Sequence, residues 1–361
     1  MKHLSEYRDK HIAKKLIDAI WDLSETPVRL MEVCGSHTVS IFRHGIRQML
    51  PETIQLISGP GCPVCVTARA EIDRAIVLSS YPEVIITTFG DMIRVPGSLS
   101  TLQKQRAGGA DVRVVYSSFD ALKTACENPK KTVVFLAIGF ETTAPAIAAT
   151  VLEAKRIKID NFFILSAHKL LPPALTALLN SDRLNIQGFI YPGHVTTIIG
   201  TLAYEQIAQK HGIPGVVCGF EPIDILETIF MLIRQIEQGE TTVEIQYKRG
   251  ATATGNLRAT EVLNQVFITC DSNWRGLGLI PESGLTLRDE YRSFAAEDYF
   301  DLKVQPAKDH PDCVCGEVIC GTKNPAECRF YRKVCTPQNP IGPCMVSTEG
   351  TCAAYYKYYI A

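Results

Sequence analysis

Along the chain, short runs of apolar, β-rich residues alternate with segments whose apolar positions recur at helical spacing. The opening segment predicts a helix, with Ile12, Leu16, Ile17, Ile20 and Trp21 on one face. Four apolar runs follow, at residues 28–33, 54–58, 84–89 and 112–116, and then four more at 132–138, 162–165, 188–191 and 215–218. Successive runs are spaced by roughly the length of a strand plus a crossover helix, which favours parallel sheets. A Gly-Phe-Glu turn closes two runs of the second group, at 139–141 and 219–221. The pattern predicts two doubly wound, Rossmann-like parallel-sheet α/β domains, residues 1–127 and 128–240, with 128–131 as their junction. From about residue 241 the rhythm changes: 243–247 and 266–269 read as antiparallel strand material leading into a cysteine-rich tail. Residues 241–361 therefore form a third unit.

Length and composition narrow the class. With 361 residues and 46 % hydrophobic positions, the chain can bury two or three cores. Its formal net charge of -1 argues against nucleic acid as a partner, since phosphate binding usually leaves a basic excess. The charged start, Met-Lys-His-Leu-Ser-Glu, lacks the apolar core of a signal peptide, and no run approaches the ~18 apolar residues of a membrane span. A cytoplasmic protein without membrane contact is expected. In that reducing compartment, thirteen cysteines point to metal ligation or redox chemistry rather than to structural disulfides.

Ligands of open α/β sheets bind beyond the carboxyl ends of the strands, and the unusual residues fall there. Glu32-Val-Cys34-Gly-Ser-His37-Thr38 follows an apolar run. A thiol and an imidazole three residues apart can share a metal, or the imidazole can ease ionisation of the thiol. Ser58-Gly-Pro-Gly-Cys62-Pro-Val-Cys65 is a tight loop presenting Cys62 at a helix start, an arrangement of dithiol redox sites and of soft-metal ligand pairs. Cys34, Cys62 and Cys65 at adjacent strand ends suit one small three-thiol site. Glu141, His168, His194 and Glu221 end four runs of the second group and are expected to line a cleft together. No Gly-x-x-x-x-Gly-Lys-Ser/Thr phosphate loop is present.

Seven cysteines crowd the tail: Cys313, Cys315, Cys320, Cys328, Cys335, Cys344 and Cys352. Interleaved with Gly, Pro, Lys and Glu, they leave little apolar periodicity for a separate core. Only Cys313 and Cys315 are close in sequence, whereas a structural zinc site usually takes two close pairs. The irregular spacing suits a [4Fe-4S] cluster with spare thiols, and zinc is the alternative.

Cys34-Gly-Ser-His37, Gly59-Pro-Gly-Cys62-Pro-Val-Cys65, Gly139-Phe-Glu-Thr-Thr-Ala-Pro145, Pro192-Gly-His194 and the tail from Cys313 to Tyr356 together resemble the HypD family of [NiFe]-hydrogenase maturation factors. The resemblance implies two α/β domains and a third with a [4Fe-4S] cluster. It further implies a scaffold and redox role in assembling the Fe(CN)2CO centre. The implied partners are a HypC-type chaperone and HypE as cyanide donor, with the hydrogenase large subunit reached indirectly. The transient cargo is Fe(CN)2CO or its iron precursor. On this resemblance Cys34 is the iron ligand, His37 orients it or moves protons, and Cys62 with Cys65 act as a redox pair or as further ligands. The tail is similar to ferredoxin:thioredoxin reductase, which implies Cys313, Cys328, Cys335 and Cys352 on the cluster and Cys315 with Cys344 as a redox pair. Cys320, Cys126, Cys218 and Cys270 are read as packing residues. The competing readings are a stand-alone [4Fe-4S]-dependent dithiol/disulfide oxidoreductase and a zinc-stabilised adaptor.

Overall fold

A computed structural model describes residues 6–181, 184–304 and 310–359; the first five residues of the charged N-terminal segment lie outside them. The apolar runs form strands where expected: β1 Val28–Glu32, β2 Ile54–Ser58, β3 Val84–Thr88, β4 Asp111–Val114, β5 Thr132–Ala137, β6 Phe162–Ser166, β7 Gly188–Pro192 and β8 Gly215–Cys218. Three more follow, β9 Val243–Ile245, β10 Phe267–Trp274 and β11 Gly278–Leu287. Strands such as β3 and β7 are buried at every position, because helices cover both faces of a parallel sheet and leave no solvent side to alternate with.

Sheet membership departs from the sequence groups. One parallel sheet has the order β2-β1-β7-β8-β9 and the other β4-β3-β5-β6. The chain leaves the first sheet after β2, builds the whole second sheet, and returns at β7. The boundary expected at 127/128 therefore falls inside the second sheet, between the helix Ser118–Glu127 and β5. A crossover has the same length whether it stays in a sheet or starts a new one, so periodicity alone could not separate the cases. The two Gly-Phe-Glu turns end β5 and β8, one in each sheet. Likewise β9, expected in the third unit as antiparallel, is the parallel edge of the first sheet against β8.

Both sheets wind alike. In each, the first strand has its second strand on one side and its third on the other, which creates a switch point: β1/β7 in the first sheet and β3/β5 in the second. The antiparallel hairpin β10–β11 straps the sheets together. Arg275 N–H donates to Val66 after β2 (2.9 Å), and Leu170 N–H after β6 donates to Ser283 (2.8 Å). Buried Lys169 supports the strap, with Nζ 2.6 Å from Glu71 Oε1 and 2.7 Å from Ser272 Oγ.

Among the described residues the tail has no separate core. Cys315, Val318, Ile319 and Cys344 are buried in one apolar cluster with Cys62, Cys65, Phe140, Tyr191 and Trp274. Its last helix, Thr351–Tyr358, lies on the helix Gly35–Arg43, with the Phe42 and Tyr355 rings 4.4 Å apart.

Candidate functional site

The chain turns from β1 into the helix Gly35–Arg43 with Cys34 as its cap residue, and from β7 into the helix Gly193–Ile199 with His194 as its second residue. Cys34 Sγ lies 3.9 Å from His194 Nδ1, and Cys34 is only 2 % exposed. The pair straddles the β1/β7 switch point. His37, one turn further along, faces two carbonyl oxygens: its Nε2 donates to Gly219 (2.9 Å) and Cys218 (3.3 Å). The proton thus sits on Nε2, and Nδ1 is buried without a partner. Phe220 packs against both imidazoles, 5.1 Å from His37 and 5.3 Å from His194.

Burial sets the ionisation here. It pushes the Cys34 thiol up to about 12, with the nearby Glu349 carboxylate adding to the effect. It brings His194 down to about 4, and His37 also to about 4 with a further contribution from His194. At neutral pH the site holds a protonated thiol between uncharged imidazoles.

Two glycines allow the loops to close on this thiol. A Cβ on Gly61 would stand 2.2 Å from the Cys34 nitrogen, and one on Gly35 would stand 2.5 Å from the Glu349 oxygen. Gly35 N–H donates to Gly61 O (3.1 Å), joining the β1 and β2 ends, while Ser36 Oγ donates to Glu349 Oε1 (2.5 Å), fixing the tail above them. Over Ser36, Phe220 and Glu349 opens a cavity of about 700 Å³, whose rim carries Arg43, Arg94 and Lys357.

Cys62 caps the short helix Pro63–Val66, and its Sγ accepts the Cys65 N–H at 3.2 Å. Cys62 and Cys65 form a disulfide with Cα atoms 5.2 Å apart. The arrangement is therefore a thiol beside an imidazole with a disulfide at its flank, rather than three free thiols around one point. A small cavity below Gly59 and Pro60 is lined by Cys62, Cys65, Cys344 and Glu349.

Six tail cysteines, Cys313, Cys315, Cys328, Cys335, Cys344 and Cys352, line one further cavity with Tyr331 and Gly342. Within it, Cys315 contacts Cys313 and Cys344, and Cys344 contacts Cys352. The contact with Cys313 favours the Cys315 thiolate, but Cys344 and burial hold that thiol well above its ordinary range. Cys344 lines both cavities, so it stands between the other tail cysteines and the Cys62–Cys65 disulfide. Cys320 is not in this lining; its Sγ is 3.4 Å from Gly276 O. Among the described residues no three Cys, His, Asp or Glu side chains converge on a single metal ion. Soft thiols spread around a cavity wall suit a polynuclear cluster better than one ion.

The four polar strand ends do not line one cleft, because β5 and β6 lie in one sheet and β7 and β8 in the other. His168 is buried under the hairpin against Phe267, with Ser166 Oγ 3.1 Å from its Nδ1. Burial, and secondarily Lys169, drops it to about 3. Glu221 is tied to Arg8 at 2.5 Å. Glu141 is buried, accepts the Leu171 N–H at 2.8 Å, and is raised to about 7 by burial. Its second oxygen and the hydroxyl of Tyr191, which stacks on Tyr204 at 4.0 Å, are buried without partners. Cys126 is exposed rather than packed. Sequence reasoning passed over Phe220 and Glu349 as site residues, since their places depend on strands and tail far away in the chain; Cys218, expected as a packing residue, is fully buried, and its carbonyl meets His37. Glu32 was also missed: buried at the end of β1, it accepts Ser58 Oγ (2.6 Å) and Thr38 Oγ1 (3.0 Å).

Residues 11–359 match the family model described as HypD, "Hydrogenase formation hypA family". Hydrogenase maturation factor HypD2 of Bradyrhizobium diazoefficiens is 45 % identical to the chain, the match covering 99 % of this chain and 97 % of the relative. Hydrogenase maturation factor HypD of Escherichia coli K12 is 44 % identical, covering 99 % and 98 %. A putative hydrogenase expression/formation protein of Methanocaldococcus jannaschii is also 44 % identical, covering 97 % and 98 %. With a family model spanning nearly its whole length and full-length relatives of this identity, the chain belongs to the HypD family of hydrogenase maturation factors.

Proposed function

We propose that this chain is the scaffold and redox protein on which the Fe(CN)2CO centre of [NiFe]-hydrogenase is assembled, together with a HypC-type chaperone and HypE. The observation that carries the reading is the enclosed Cys34–His194 pair at a switch point, beside an open cavity large enough for a partner's segment. Low-spin ferrous iron with cyanide and carbon monoxide takes soft thiolate donors, which Cys34 supplies. Binding requires the thiol to give up its proton, and uncharged His194 Nδ1 at 3.9 Å is the acceptor. His37, held by Gly219 and Cys218, keeps Phe220 and His194 in register. The cavity over Ser36, Phe220 and Glu349 is where the chaperone and the cyanide donor would reach the iron.

Six thiols on one cavity wall support the reading of a [4Fe-4S] cluster, which Cys313, Cys328, Cys335 and Cys352 would hold with Cys315 and Cys344 beside it. Such a cluster would supply electrons one at a time. The thiols themselves can pass a pair onward. Cys344 attacks the Cys62–Cys65 bond to give a mixed disulfide and one free thiol. Cys315 then attacks Cys344, releasing the second thiol. The result is a Cys315–Cys344 disulfide and a Cys62/Cys65 dithiol, with two electrons and two protons moved together.

The test is infrared spectroscopy of the anaerobic complex with the chaperone. Bands of metal-bound cyanide and carbon monoxide should be present, and absent in Cys34→Ala. Unchanged bands in that variant would remove Cys34 from the ligand set. Turnover of generic disulfides without any maturation partner would favour a stand-alone oxidoreductase instead.

A further inference from the structure

Among the described residues β2 pairs only with β1, so its outer edge is open to other parts of the chain. Tail residues 318–327 cover it incompletely, leaving a cavity of about 150 Å³. Three cations from separate segments line it: Arg29 at the start of β1, Arg47 before β2, and Lys323 of the tail. Arg29 Nε, Arg47 Nε and one terminal nitrogen of Arg47 are buried without hydrogen-bond partners. Buried N–H groups of a charged guanidinium left unpaired are costly.

Three carboxylates stand nearby, and none hydrogen-bonds the unpartnered guanidinium nitrogens. Glu327 accepts the Asn324 N–H at 2.7 Å as a helix cap. Glu32 stands 3.9 Å from Arg47, too far for a hydrogen bond; one of its oxygens accepts Ser58 and Thr38 and the other is buried without a partner, while the remaining Arg47 nitrogen donates to Leu56 O at 2.6 Å. Glu317 is 3.5 Å from Lys323, in a pair that is largely exposed. Ser58, Thr322 and Thr351 complete the wall.

We infer that this cavity binds a small oxyanion, of the phosphate or carboxylate class, which ties the cysteine-rich tail to the edge of the first sheet. Guanidinium forks match planar or tetrahedral oxyanions, and Lys323 adds a point charge from the tail side. Because residues 318–327 lead directly into Cys328, the anion firms the segment that carries the tail cysteines.

The full chain is titrated with inorganic phosphate and, separately, with formate, at constant ionic strength, by calorimetry and thermal melting. We expect saturable binding with a dissociation constant below about 1 mM for one of them, and a melting temperature that rises with occupancy. Whichever anion saturates identifies the class. Arg29→Gln and Lys323→Gln should each weaken binding about tenfold or more and abolish the melting shift, while Lys210→Gln, exposed and outside both large cavities, leaves both unchanged. Lys323 is partly exposed, so its variant remains informative if Arg29→Gln folds poorly. No saturable heat, or equal stabilisation of the wild type and both pocket variants through generic salt exclusion, would overturn the inference.

Discussion

Cys34 Sγ and His194 Nδ1 lie 3.9 Å apart although 160 positions separate them in the chain. They meet because β1 and β7 are neighbours at the point where the first sheet reverses its order. The thiol is pushed up to about 12 and the imidazole down to about 4, so neither carries charge at neutral pH until a metal or a partner enters.

His194→Ala should therefore slow iron loading at neutral pH without abolishing it. Loading followed by the cyanide and carbon monoxide bands should recover as pH rises, because a general base compensates for missing His194. A variant that loads at the wild-type rate at all pH values would show that the proton leaves by another route.

Gly61→Ala tests the closeness of the β1 and β2 loops. Its Cβ would stand 2.2 Å from the Cys34 nitrogen and 2.3 Å from the Val33 carbonyl carbon, both backbone atoms that cannot step aside. We expect a loss of about 2 kcal/mol or more in chemical denaturation, together with a changed reactivity of Cys34. Gly109→Ala, with nothing within 4 Å of its Cβ but a φ of +103°, should cost stability without touching Cys34.

Cys344→Ser should separate the tail from the disulfide. After anaerobic dithionite treatment, alkylation mapped by mass spectrometry should label Cys62 and Cys65 in the wild type and not in Cys344→Ser. Dithiothreitol should expose both residues in each protein, showing that the disulfide itself is intact. Equal dithionite labelling would mean that Cys344 is not the relay.

Glu141 gives a pH dependence of known sign. Its folded value, raised by burial to about 7 from 4.5, means that the stability contributed by its protonated form is full below about pH 4.5 and is lost as pH rises through 7. Relative to Glu141→Gln, the wild type should lose on the order of 3 kcal/mol between pH 5 and pH 8, read from denaturant midpoints. Parallel pH profiles would mean that the carboxyl is ionised in the fold.

The strands and the motif chemistry were legible in the sequence, because near-continuous apolar runs such as those of β3 and β5 mark buried parallel strands wherever they are placed. The Cys62–Cys65 loop was legible for a similar reason: Gly-Pro-Gly and an internal proline fix a tight turn into a helix locally. His194 was read as one of four equivalent strand ends, and only sheet order singled it out from His168, which is buried under the hairpin. Phe220 and Glu349 carry no local signature that ties them to Cys34.

The sequence by itself determined the alternation of strand and helix, the membership of a HypD-like set of motifs, and a tail too poor in apolar periodicity to fold alone. Tertiary structure decided which strands share a sheet, that the tail cysteines enter the common core rather than a separate one, and that Cys344 borders both cavities. The physical reason is one of range. Periodicity and turn chemistry are set by neighbours in the chain, whereas sheet order and cavity walls are set by which apolar surfaces bury one another across more than a hundred residues.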